Sequence, residues 1–215
     1  MIVVIQCAAS KRSDAGRLVR ADGKPVTFVA HPELAPADGT SVYARPDDLS
    51  EDGIPWRESL LNYNAEPRDN PLGLCPAYQL YQNKIYAGLV DRFGPKNVYI
   101  LSAGWGLIRA DFLTPYYDIT FSPSAEAYKR RHRAERYNDF RMLPNQTDQE
   151  IVFFGGKDYL PLFCSLTTAV RTKRTVFYNS AVTPKINGCA LERFATAART
   201  NWHYECANAF LDRTR

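Results

Sequence analysis

Four short apolar runs constrain this chain more than anything else in it: MIVVIQC (1–7), NVYILSA (97–103), EIVFFGG (150–156) and RTVFYNS (174–180). Each is rich in β-branched or aromatic residues and is continuous rather than alternating, as expected of strands covered on both faces of a parallel sheet. Covering both faces calls for helices, and parallel neighbours need long crossover connections. Segments with helical spacing lie between or after the runs. PAYQLYQNKIYAGLVDRFG (76–94) sets Tyr78, Tyr81, Ile85 and Leu89 at three- and four-residue steps and stops at Gly94-Pro95. PSAEAYKRRHRAERYNDF (123–140) opens on a Ser124 cap, and KDYLPLFCSLTTAVR (157–171) carries Pro161 in its first turn. KINGCALERFATAARTNW (185–202) shows a Leu191, Phe194, Ala198 stripe. The expectation is a three-layer α/β fold around a central, mainly parallel four-stranded sheet, in one domain over 1–215. A hydrophobic fraction of 45% supports such a core.

Residues 12–70 stand outside the alternation and read as an insertion after the first strand. RLVRADGKPVTFVAHPE suggests a hairpin around Asp22-Gly23, and IPWRESLLNYN a short helix, with lid-like loops elsewhere. In open parallel sheets ligands bind beyond the carboxyl ends of the strands. Here the four ends are QCAASKR, SAGWGL, GGKDY and NSAVTPKING, all enriched in small, polar or basic residues. They are expected to converge on one crevice.

No apolar stretch approaches the roughly 20 residues of a membrane span, and MIVVIQCAASKR lacks the features of a secretory signal. Five cysteines form no C-x-x-C pair, and three widely spaced histidines show no metal-ligand spacing. The expectation is a reduced, cytoplasmic protein with no metal, no cofactor, no membrane contact and no obligate protein partner. The formal net charge of +4 is small, but YKRRHRAER (128–136) concentrates five Lys/Arg residues and His132. That segment reads either as a solvated helix face or as a helix that contacts phosphates.

Several residues at the strand ends bear chemistry. Cys7 reads as a buried thiol or a nucleophile, and Lys11 as a phosphate ligand or an amine activated by desolvation. Trp105, between two glycines, reads as a stacking platform or a packing residue. Asp118 is the carboxylate best placed to orient water or stabilise a sugar cation, or it simply closes a turn. Lys157, after a glycine pair at a helix start, suits an anion. Asn179 can read a base edge or close a turn.

CAASK after the first strand, with YILSAGWGLIRADFLTPYYDIT, resembles the YaaA-related bacterial domain family, over residues 1–11 and 75–122. The doubled Tyr116-Tyr117 and the insertion depart from that pattern. VVIQCAAS is also similar to the first motif of the uracil-DNA glycosylase superfamily, with Gln6 on its glutamine and Cys7 in place of its aspartate. Asn179-Ser180 stand where its late histidine loop would fall. The resemblance implies a glycosylase-like four-stranded core and a phage-defence DNA glycosylase, which flips a modified base (glucosylated hydroxymethylcytosine, for instance) out of double-stranded DNA and leaves an abasic site. It implies Asp118 and Lys11 as catalytic, and Gln6, Cys7, Trp105, Tyr117 and Asn179 around the base. Lys157, Arg130, Arg131 and Arg133 would hold phosphates. A small-molecule nucleoside hydrolase or transferase and a non-catalytic DNA-binding stress protein are the alternatives.

Overall fold

The computed structural model describes residues 1–37, 39, 41–66, 69–198 and 200–214. Its strands are β1 (Ile2–Gln6), β2 (Val26–Phe28), β3 (Val42–Ala44), β4 (Cys75–Pro76), β5 (Val98–Ser102), β6 (Gly106–Arg109), β7 (Leu113–Thr114), β8 (Phe140–Arg141), β9 (Ile151–Phe154), β10 (Arg174–Tyr178) and β11 (Ala190–Arg193). Its α-helices are α1 (Trp56–Ala65), α2 (Ile85–Phe93), α3 (Leu160–Thr167) and α4 (Trp202–Arg213). The protein is α/β with a mainly parallel central sheet of seven strands, in the order β11-β10-β9-β1-β5-β6-β8. The four apolar runs are β1, β5, β9 and β10, adjacent and parallel. Only β6 and its partner β8 run the other way.

Central position explains the composition of these strands. Val3 and Val4 of β1 lie between Val98–Tyr99 of β5 and Val152–Phe153 of β9, and both are fully buried. Successive strand residues point to opposite faces. Phe153 stacks on Phe163 of α3 at 4.4 Å, while Phe154 meets Phe210 of α4 at 5.3 Å. The two helices therefore cover opposite faces, and α2 packs beside α4.

Several expectations need correction. The sheet has seven strands rather than four, because β6, β8 and β11 extend it. Residues 185–202 are not a helix. Ala190–Arg193 pair with β10 and satisfy its outer edge, and the helix starts at Trp202. Residues 123–140 are not a helix either: their one helical piece is a 3-10 turn at Ala127–Lys129. Arg131 and Asp139 would be separated by about 12 Å along an α-helix. Instead they form a bidentate pair at 2.9 and 2.7 Å, which requires the chain to fold back. Segment 76–94 is divided into a 3-10 turn at Ala77–Gln79 and α2. In the insertion, Val19 bridges Pro25 across a tight turn with Gly23 at φ +81°, so the hairpin is present but minimal. β2 and β3 pair in parallel, and α1 lies where the sequence puts it. No helix among the described residues is long and apolar enough to cross a membrane.

His203 in α4 is buried, its Nε2 has no hydrogen-bond partner, and burial lowers its pKa to about 4. An imidazole with a depressed folded pKa contributes stability above its unfolded value, near 6.5. That contribution is lost as pH falls toward 4. The loss amounts to about 3 kcal/mol at 1.36 kcal/mol per unit. Urea unfolding at pH 7 and pH 4 should show this loss in the wild type and a smaller one in His203→Phe. Equal acid losses in both would refute it.

Candidate functional site

The exits of β1, β5, β9 and β10 share the sheet's carboxyl edge, and the SAGWG turn is its anchor. Ser102, at the end of β5, accepts from the backbone N–H groups of Gly104 (3.2 Å) and Trp105 (3.0 Å). The turn's carbonyls are held by two buried arginines. Arg57 of α1 donates to Gly104 and Trp105, both at 3.0 Å, and Arg131 donates to Ala103 at 2.8 Å. Gly106 closes the turn at φ +86°, and a Cβ there would sit 2.6 Å from the Phe140 carbonyl oxygen. Only glycine meets both demands.

This geometry corrects the role expected of Trp105. It is fully buried, against Phe28 at 5.0 Å and stacked on Phe140 at 6.3 Å, so no face is open to a flipped base. Tyr117 is likewise fully buried and offers no platform. Its hydroxyl accepts from Ser102 Oγ at 2.9 Å and shares a 2.9 Å bond with the Tyr81 hydroxyl.

Tyr117 belongs instead to a buried polar cluster around the lysine that follows β1. Lys11 is 8% exposed, and its Nζ sits 4.2 Å above the Tyr117 ring. Burial lowers its pKa, against the opposing influence of Cys7 and Asp118. Cys7 lies 3.2 Å from the Tyr159 hydroxyl, and burial pushes the phenols of Tyr81, Tyr117 and Tyr159 well up. Gln6 does not present its amide oxygen to a ligand. That oxygen accepts from the Gly156 N–H at 2.6 Å, tying the β1 exit to the β9 exit.

Asp118 is partly exposed and held in place. Its N–H donates to the Phe28 carbonyl at 2.7 Å, and its carboxylate meets Lys129 Nζ at 2.9 Å. Burial pulls the Lys129 pKa down, but its contacts with Glu126 and Asp118 outweigh this and hold it above the ordinary value. Asp118 lines a pocket of about 220 Å³ with Arg17, Tyr43, Tyr116 and Tyr128. A second pocket, of about 400 Å³, gathers Lys157 with Arg130, Arg131, His132 and Arg133 beside Phe121. The four predicted phosphate ligands thus share one pocket, although Arg131 is a correction: it is buried and committed to Asp139 and the SAGWG turn. Arg133 pairs with Asp158, and Arg130 donates to the Pro123 carbonyl at 3.1 Å. Asn179 donates to the Ala198 carbonyl at 3.2 Å and lines neither pocket. Two distant parts of the sequence also come together: His31, His132 and Glu135 place one ligand atom each within 4.8 Å of one another.

No family model, curated protein or solved structure matches the chain. Function is therefore read from the chemistry of these groups. A lysine biased toward its neutral form by burial can accept a proton, a fixed carboxylate can stabilise a cation, and a basic pocket can hold phosphate. Tyr81, Lys129, Tyr159 and Arg57 carry no signal of these roles in the sequence, and Ser102 carries a weak one. Ser102 was within reach, since a serine two residues before Gly104 is a common way to cap a tight turn.

Proposed function

We propose that the chain hydrolyses the N-glycosidic bond of a modified base in DNA and leaves an abasic site. The observation that carries this reading is the basic pocket, where Lys157 from the β9 exit meets Arg130, His132 and Arg133 from the loop after Asp118. Residues 118–121 and 129–131 run side by side, with Thr120 bonded to Lys129 and Arg131. Asp118 and Phe121 lie on this one paired segment, three residues apart, and line the two pockets. Phosphate held at the Lys157 end leaves the sugar near Asp118. In the reaction the C1′–N bond breaks with its electron pair leaving on the base, and Asp118 stabilises the cationic sugar. Water then bonds to C1′ and gives up a proton that passes through a second water to Lys11, which is buried and interacts electrostatically with Asp118. The pocket beside Asp118 is about 220 Å³, below the roughly 300–1,000 Å³ of sites for drug-sized ligands. This favours a compact modified base over a glucosylated one.

A second reading, hydrolysis of a free nucleotide, is favoured by the pairing of Arg131 with Asp139 and Arg133 with Asp158, which reduces the charge left for a duplex. Incubation with phage DNA carrying modified cytosines or uracils, then heating in alkali, separates the readings. Strand breaks that disappear in Asp118→Asn support base excision. Intact DNA combined with release of base from nucleotides supports the second reading, and intact DNA despite tight binding makes the chain a binder only. In the duplex-binding case, Lys157→Ala should reduce the slope of log affinity against log salt by about 1. An unchanged slope would remove Lys157 from the phosphate grip.

A further inference from the structure

We infer that His31, His132 and Glu135 form a binding site for a divalent transition metal, with zinc the best fit, that joins the insertion to the arginine-rich loop. The proposal goes beyond the glycosidase reading and does not depend on it. His31 Nε2 lies 3.3 Å from Glu135 Oε1. Ligands at the usual zinc distances of about 2.0–2.2 Å sit roughly 3.3–3.5 Å apart in a tetrahedron, so this pair already has the spacing of one edge. The His132 ligand atom lies within 4.8 Å of both, and its side chain is exposed and free to close the remaining gap.

A second observation points to a ligand. His31 Nε2 is a buried atom with no hydrogen-bond partner, although it faces Glu135. On the other side of the ring, Nδ1 is 3.3 Å from Glu33 Oε1, and Glu33 is in turn held by Arg45 at 2.6 Å. A carboxylate on the far nitrogen fixes the imidazole tautomer and turns the bare nitrogen toward a metal, as it does in many histidine-ligated zinc sites. The insertion is tied to the loop without any ion by the backbone His31 N–H, which donates to the Tyr128 carbonyl at 2.8 Å, and within the loop the Glu135 N–H donates to the His132 carbonyl at 3.1 Å. Coordination would therefore need little rearrangement.

The donor set decides the class of metal. Two imidazoles and one carboxylate suit zinc and its transition-metal neighbours, whereas magnesium and calcium prefer oxygen alone. Three protein ligands leave a fourth position open, as in catalytic zinc sites. His132 also lines the basic pocket, so the metal site and the proposed phosphate site share a residue. The arginines there do not repel the ion at full strength, since Arg131 and Arg133 are matched by Asp139 and Asp158.

The test uses the full chain, stripped with chelator and with its partly exposed cysteines Cys75, Cys164 and Cys189 alkylated, titrated with zinc against a chromophoric chelator. One equivalent should bind, and cobalt should give the visible absorption of a low-coordinate nitrogen–oxygen site. His132→Ala, an exposed change that leaves packing intact, should reduce affinity at least 100-fold. Glu33→Gln should cost about 10–100-fold, and Glu135→Gln serves as a second ligand variant with its urea midpoint checked. Zinc that binds equally well to His132→Ala and Glu135→Gln would overturn the site. So would an affinity no greater than that for magnesium, or binding that alkylation abolishes.

Discussion

Arg57→Ala should destabilise the protein by about 3–5 kcal/mol, the usual cost of removing one member of a buried ion pair. Arg57 is 5% exposed. Its Nε donates to Asp47 at 2.6 Å, its two terminal nitrogens hold the Gly104 and Trp105 carbonyls, and its guanidinium lies over the Phe140 ring at 5.2 Å. Truncation leaves the Gly104 carbonyl buried without this donor and Asp47 without its cation. Trp105 keeps one acceptor bond, from the Phe140 N–H at 2.8 Å. Arg57→Lys should recover only a small part of the loss, because an ammonium cannot reproduce the planar fork that spans two carbonyls and a carboxylate. Urea unfolding monitored by far-ultraviolet circular dichroism measures both variants. A loss below about 1 kcal/mol for the alanine variant would place the pair among those of surface strength and end the claim that the insertion anchors the SAGWG turn.

That anchor also shows what was legible in the sequence. The four parallel strands could be read because a strand buried on both faces has no polar residues to blur its pattern; Val3, Val4 and Ile5 are fully buried. The special character of SAGWG was equally visible, but its purpose was not. Two glycines around a tryptophan look the same whether the ring faces a ligand or plugs the core. The deciding partners, Arg57 and Phe28, come from the insertion, 48 and 77 positions away from Trp105. The basic run 128–136 has helical spacing without being a helix, for a related reason. Helical spacing of charges is cheap to produce by chance, and Arg131 meets Asp139 only because the chain reverses between them. β11 was hidden because edge strands are short and half-exposed, and Leu191 and Phe194 fit a helical stripe as well as a strand. His31 and His132, 101 positions apart, form no motif at all. The expected crevice came out as parts: Lys11, Tyr117 and Asp118 lie together, Lys157 and the arginines share a pocket, and Asn179 stands apart.

Lys11→Met should abolish turnover while leaving the fold as stable as before or more so. A side chain acting as proton acceptor typically contributes about 10²–10⁴-fold in rate, so the variant should retain under a hundredth of wild-type activity. Stability moves the other way, because an apolar chain of similar length no longer brings an ammonium into a site that is 8% exposed. The pH dependence separates this reading from a merely structural lysine. Burial lowers the Lys11 pKa from its ordinary 10.5. Between the folded and unfolded values the unfolded chain keeps a proton that the folded chain has released. The wild type therefore gains stability from this site as pH rises through that window. Below the window both states are protonated and the full cost of burying the charge is present. The advantage of Lys11→Met over wild type should thus be greatest at low pH and shrink toward pH 10. Wild-type activity should climb over the same range, with no matching limb in the residual rate of the variant. Lys11→Arg, which cannot release its proton, should be both inactive and less stable. A methionine variant that keeps activity within a few-fold, or a stability difference that stays flat as pH rises to the ordinary lysine value of 10.5, would return Lys11 to the ranks of ordinary packing residues.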